Sequence, residues 1–70
     1  MARVEPLTVR ELDVLTLMCS RLSAKEIAHE LGIAPMTVNR HAANLYSKLG
    51  VNTRREAVAK AEELGILPTR

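Results

Sequence analysis

Aromatic residues, cysteine and long apolar runs are scarce in this 70-residue chain, and each shortage excludes a class of protein. The chain has one tyrosine and no tryptophan or phenylalanine, which is too little aromatic surface to stack unpaired bases as single-strand-binding proteins do. Its single cysteine, Cys19, cannot form an internal disulfide, so we expect a reducing compartment, the cytoplasm. No apolar run approaches the ~18 residues of a membrane span, so we expect no membrane contact.

The composition fits one small packed domain without a catalytic site. Apolar residues make up 47% of the chain, enough for a core, and the length allows one domain at most. A domain of this size has little room for an enclosed cleft. The spacings of catalytic triads, zinc sites and phosphate-binding glycine loops are absent, and Glu26 and His29 have metal-site spacing without a second copy. We therefore expect no enzyme, no metal and no cofactor.

Acidic residues are absent from the stretch 31–55, although the net charge of the whole chain is only +2. The basic residues of that stretch are Arg40, Lys48, Arg54 and Arg55. A local excess of positive charge on a nearly neutral domain favours an anionic partner that meets one face of it. An ordinary solvated helix surface is the alternative.

Helix starts are marked by the S/T-x-x-E pattern of the capping box, in which a hydroxyl and a glutamate satisfy free backbone N–H groups. The hydroxyl residues are Thr8, Ser23 and Thr53. A further helix begins at Pro35, because proline suits the first helical position. Apolar residues at helical spacing follow each start, and glycines follow the last three helices. We predict an all-α, compact four-helix bundle with helices over 8–21, 23–31, 35–49 and 53–64.

The connection between the second and third predicted helices has the pattern of a helix-turn-helix. Ala28 allows the next helix to cross closely, Gly32 permits a sharp turn, and Val38 packs back into the core. In such a pair the second helix enters the major groove of DNA. A plain helical hairpin with a glycine turn is the alternative.

The third predicted helix has two contrasting faces. The face that we expect to be buried consists of Val38, Ala42, Leu45 and Leu49. The opposite face carries no carboxylate and consists of Met36, Arg40, Ala43, Asn44 and Ser47, flanked by Thr37 and Asn39. Arginine suits guanine, asparagine suits adenine, and alanine or methionine can touch a thymine methyl group. This composition favours reading of base edges.

Several segments resemble, in order and spacing, the LuxR/FixJ-type (GerE-like) DNA-binding domain. They are the segments 7–15, 23–33, 37–41 and 48–51, and the ending 54–67 resembles the C-terminal module of the MalT-like branch. The likeness covers 7–67, so we expect the domain there, with 1–6 as a linker remnant or flexible N-terminus and 68–70 as a C-terminal tail.

The resemblance implies sequence-specific binding of double-stranded DNA by the output domain of a bacterial transcription regulator. Matched position by position, it implies base contacts by Asn39, Arg40 and Ala43, to which the helix face adds Asn44. The phosphate contacts that it implies involve Ser23, Lys25, Thr37 and Lys48. Such contacts set register and affinity rather than sequence choice.

The resemblance also implies dimerisation through the fourth helix. The candidate stripe consists of Ala57, Val58, Ala61 and Leu64, and its alternative is a wholly buried role. We expect a weak homodimer that forms on DNA with paired half-sites, and RNA polymerase remains open as a further partner.

Three positions depart from the family pattern. Asn39 stands where the family usually has lysine, so a charge-based contact is lost. Ala34 replaces the serine that would cap the third predicted helix. The loss of that cap should lower the stability of the free protein by ~1 kcal/mol. Arg21 replaces a glycine near the end of the first helix, which alters that turn or adds a phosphate contact.

Two other functions remain open from the sequence. One is a helical protein–protein interaction module without DNA binding, against which the acid-free stretch argues. The other is a sigma-factor-like promoter-recognition domain, which uses a similar helix pair. The segment 50–53, which leads into a further capped helix, fits the LuxR-type domain better.

Overall fold

The structure is a computed structural model that describes residues 6–65. Within that range the α-helices are α1 (Val9–Cys19), α2 (Ala24–Leu31), α3 (Pro35–Leu49) and α4 (Arg54–Leu64). The predicted all-α domain of four helices is confirmed. A membrane crossing requires a longer and more apolar helix than any that lies between residues 6 and 65. The predicted N-terminal segment 1–6, apart from Pro6, and the predicted tail 68–70 lie outside the described residues.

The predicted capping boxes are all present. The hydroxyl groups of Thr8, Ser23 and Thr53 each accept a hydrogen bond from the glutamate amide three residues later, and each glutamate carboxylate accepts from the cap amide. These three residues have extended backbones, so they precede their helices rather than begin them. The predicted starts at 8, 23 and 53 are therefore one residue too early.

The first helix ends at Cys19, two residues earlier than predicted. Arg21 has a φ of +66°, the left-handed conformation that a helix cannot continue through. The amides of Arg21 and Leu22 turn back to the carbonyl oxygens of Met18 and Leu17 at 3.0 and 3.4 Å. A left-handed backbone costs a residue with a side chain about 1–2 kcal/mol, so this turn is strained.

The core lies between the helices, and α3 packs against the other three. The predicted buried face of α3 is confirmed, since its residues Val38, Ala42, Leu45 and Leu49 are at most 8% exposed. Ala28 on α2 is buried in the same cluster, as the helix-turn-helix pattern predicts. Between α2 and α3 the chain reverses at Gly32, whose φ of +68° suits a residue without a side chain. The core thereby fixes which side of α3 faces solvent.

Candidate nucleic-acid interface

The face of α3 opposite the core is open to solvent, as predicted. Its exposed residues are Met36, Asn39, Arg40, Ala43, Asn44 and Ser47, whereas Thr37 is half-buried. Arg40 has no ion pair or hydrogen bond within the described part of the chain. The face therefore presents a guanidinium group and two carboxamides that are not engaged elsewhere in residues 6–65. That these side chains contact bases stays a prediction.

The start of α3 differs from the starts of the other helices. Its cap residue, Ala34, makes no side-chain hydrogen bond, and Pro35 occupies the first turn. The first turn of α3 has no acidic residue, whereas α1, α2 and α4 each have a glutamate there. The predicted loss of the cap is therefore confirmed. The partial positive charge of this helix end is not offset by a carboxylate in its own first turn, which favours an anionic neighbour.

At the start of α2, Ser23 and Lys25 are both exposed. The Ser23 hydroxyl accepts from the Glu26 amide at 3.1 Å, and the Ser23 amide donates to the Glu26 carboxylate at 2.8 Å. These hydrogen bonds lower the pKa of Glu26 below its ordinary value. Because the hydroxyl is an acceptor in the cap, its own proton is still available to an anion. Lys25 has no ion pair within residues 6–65.

Lys48 differs from the other predicted phosphate residues because its ammonium group is already paired. Its Nζ donates to Oε1 of Glu11 at 2.8 Å, and that oxygen also accepts from the Thr8 amide at 2.9 Å. The Glu11 side chain is only 4% exposed and that of Lys48 is 22% exposed. Burial raises the pKa of Glu11, but the hydrogen bonds from Lys48 and Thr8 outweigh it, so the pKa is lowered overall. The pair ties the end of α3 to the start of α1.

This ion pair could not be predicted from the sequence, because Glu11 and Lys48 lie 37 residues apart. Glu11 is recognisable as a capping-box glutamate, which explains its presence without a second role. The late position of Lys48 in α3, near the edge of the buried face, was the available signal. That local pattern does not indicate an acidic partner on another helix.

The acid-free stretch contributes less surface charge than its sequence indicates. Besides Lys48, Arg54 is engaged, because its Nη2 donates to the Met18 carbonyl oxygen at 2.9 Å. That carbonyl lies at the end of α1, where the helix dipole favours a cation. Arg40 and Arg55 are the exposed basic residues of this stretch. The exposed positive charge that could meet an anionic partner is therefore narrower than the whole stretch 31–55, and the interpretation of that stretch as the face toward such a partner stays a prediction.

The structure separates the predicted dimerisation stripe into two parts. Ala57 and Ala61 are 0% exposed and lie in the core, where small side chains let α4 pack closely against α1 and α3. They cannot touch a second copy of the chain, so their assignment to an interface is wrong. Val58 is half-buried and Leu64 is 42% exposed, which leaves these two side chains accessible on α4.

Comparisons with known proteins identify the family of this chain and several similar proteins. Residues 5–61 match the family described as "Bacterial regulatory proteins, luxR family". The HTH-type transcriptional regulator MalT of Vibrio cholerae serotype O1 is 48% identical over 64 residues. The match covers 91% of this chain and 7% of that protein, so the chain spans a small fraction of this relative's length.

Solved structures agree in fold. The transcription factor GerE superposes with a TM-score of 0.83 at 37% identity, covering 89% of this chain and 92% of GerE. A Vibrio cholera VqmA–ligand–DNA complex superposes with a TM-score of 0.83 at 31% identity, covering 91% of this chain and 28% of the VqmA chain.

Proposed function

Because this chain belongs to the luxR family of bacterial regulatory proteins, and is thus a non-enzymatic, DNA-binding helix-turn-helix domain, we propose that it reads specific sequences in duplex DNA through the outward face of α3. The observation that carries the proposal is the exposure of that face together with its lack of carboxylates. A double helix presents phosphates on both sides of the groove, so a carboxylate there would be repelled.

Base reading is assigned to Asn39, Arg40, Ala43 and Asn44. The Arg40 guanidinium group can donate two hydrogen bonds to O6 and N7 of guanine, and each asparagine can pair with N6 and N7 of adenine. Ala43 lies beside Arg40 on the exposed side, where its small side chain lets α3 approach the base edges closely. Asn39 and Arg40 lie in the N-terminal half of α3, the part of a recognition helix that contacts base edges, and Ala43 and Asn44 follow one turn later.

Phosphate contacts are assigned to Ser23 and Lys25 at the start of α2 and to Thr37 in the first turn of α3. Their exposed or half-exposed hydroxyl and ammonium groups support the assignment, because each can donate to a phosphate oxygen. Lys48 can contribute only the N–H groups that Glu11 does not use. Its first role is to hold α3 in place.

We further propose that the chain is the output domain of a larger cytoplasmic regulator. It spans 7% of the length of the MalT relative, which supports a place within a longer protein. Two copies would pair weakly on DNA through Val58 and Leu64, the accessible part of the α4 stripe. RNA polymerase is the further partner expected of a promoter-binding regulator.

The test is to select bound duplexes from a random pool and to compare the wild-type chain with the variant Arg40→Ala. We expect the variant to lose about 1–3 kcal/mol of binding free energy and its preference at one base pair. The matched control is Arg10→Ala, which removes the same charge from a residue on α1 whose weak surface pair with Asp13 has little effect on the fold. It should keep the wild-type preference.

Two results would contradict the proposal. A selection logo that is the same for Arg40→Ala and the wild type removes Arg40 from the reading set. Failure of the wild-type chain to bind any duplex at low salt favours the interaction-module alternative, since phosphate binding strengthens steeply as salt falls.

A further inference from the structure

Met36 has no evident role in the fold. It is 79% exposed, the highest value among the large apolar residues of the described range. It belongs neither to the buried cluster nor to the partly buried residues packed against it. Burial of a methionine side chain is favourable, and this side chain gains little of that free energy within residues 6–65. Within residues 6–65, its apolar surface is therefore left open to a partner.

The position of Met36 on α3 indicates which partner supplies that contact. Asn39 and Arg40 follow three and four residues later, so the three side chains neighbour one another on one helix face. Helical side chains lean toward the N-terminus, so Met36 covers the surface just ahead of Arg40. It therefore borders the side chains assigned to base reading.

We propose that Met36 recognises a thymine by packing against its C5-methyl group in the major groove. This inference rests on the proposed function, and it adds a specificity-determining residue to the reading face. The thymine methyl is the apolar group that base edges present in that groove, and an unbranched thioether adapts readily to it. The other exposed large apolar residues, Val9 and Leu64, lie on α1 and α4, away from the reading face of α3.

The experiment uses the duplex selected by the wild-type chain and replaces each thymine in turn with uracil, which removes only the methyl group. At one position we expect the wild type to bind the uracil duplex about fourfold more weakly, as the loss of one buried methyl contact predicts. The variant Met36→Gln should bind the thymine and uracil duplexes equally at that position. Its thermal unfolding should match that of the wild type, because residue 36 is exposed.

The matched control is Val9→Gln, which removes an equally exposed apolar side chain from α1. It should keep the wild-type response to uracil. Wild-type binding that is unchanged by every uracil replacement overturns the inference, and so does a Met36→Gln variant that keeps the uracil response. If Met36→Gln keeps that response and instead lowers the apparent molecular mass measured by sedimentation, Met36 belongs to an interface between protein chains and the inference fails.

These experiments distinguish a failure of the Met36 assignment from a failure of the proposed function. A wild-type chain that selects no duplex contradicts the proposed function itself. A chain that selects a clear site but responds to no uracil contradicts only the assignment of Met36.

Discussion

Replacing Lys48 with methionine tests whether the ion pair to Glu11 holds α3 in place. Methionine keeps most of the apolar stem and removes the ammonium group. In the wild type that group donates to Glu11 at 2.8 Å, and the Glu11 side chain is 4% exposed. The variant leaves a buried carboxylate with one remaining donor, the Thr8 amide. Among the ion pairs within residues 6–65, this one joins two different helices.

The expected loss is about 2–3 kcal/mol in the free energy of unfolding. Removing one partner of a buried pair typically costs about 3–5 kcal/mol, because the other charge is left uncompensated. Here the Thr8 hydrogen bond persists and the Lys48 side chain is 22% exposed, so we expect a smaller value. A domain of 70 residues has a total stability of about 4–10 kcal/mol, so the variant should unfold at a clearly lower urea concentration.

The sign of the pH dependence follows from the lowered pKa of Glu11. Stabilisation by an ionised Glu11 is complete above the pKa of an unfolded glutamate, about 4.3, and is lost as the pH falls through the lower pKa of the folded state. A protonated Glu11 carries no charge, so the removal of Lys48 then leaves no buried charge without a partner. The difference in stability between the wild type and Lys48→Met should therefore be largest at neutral pH and should shrink in acid.

Urea unfolding followed by far-ultraviolet circular dichroism measures both effects, since the chain has no tryptophan. The double variant Glu11→Gln with Lys48→Met is the control, because it removes the buried charge together with its partner. It should recover part of the stability lost in Lys48→Met. A loss below about 0.5 kcal/mol at neutral pH, the size of an ordinary surface substitution, or a deficit that grows in acid would refute the reasoning.

Three further variants test the strained turn and the role of α4. Arg21→Gly should raise the stability by about 0.5–1 kcal/mol, because glycine adopts the φ of +66° without strain, and a lower melting temperature would contradict this. Leu64→Gln should weaken binding to paired half-sites while leaving binding to a single half-site and the melting temperature unchanged, since Leu64 is 42% exposed. Ala57→Gln should instead unfold the domain, because Ala57 is fully buried. Equal effects of Leu64→Gln on single and paired half-sites would argue against dimerisation through α4.

The helices and the two faces of α3 could be predicted because their signals are local. A hydroxyl and a glutamate three residues apart satisfy each other's backbone groups, so Thr8, Ser23 and Thr53 mark helix starts wherever the rest of the chain lies. The apolar residues of α3 recur at helical spacing, which fixes the buried side and therefore the exposed one.

The remaining features depend on contacts between distant parts of the chain. Arg21 takes a backbone conformation that glycine prefers, because the packing of α2 against α1 requires the reversal there. The partner of Lys48 lies on another helix, and no periodicity within α3 points to it. On α4, small residues at helical spacing suit a tight core and a symmetric interface equally well. Only the packing of α4 against α1 and α3 assigns Ala57 and Ala61 to the core.

The most direct test of the outward face of α3 as the DNA-reading surface is a nuclear magnetic resonance titration of the labelled chain. The ligand is a duplex that holds one selected half-site, so that dimerisation does not perturb α4. We predict the largest changes in the side-chain amide signals of Asn39 and Asn44, in the Arg40 guanidinium signal and in backbone amides 23–25 and 36–44. Signals from 57–64 should change little. The largest changes on α4 or α1, with the α3 side chains unmoved, would contradict the account.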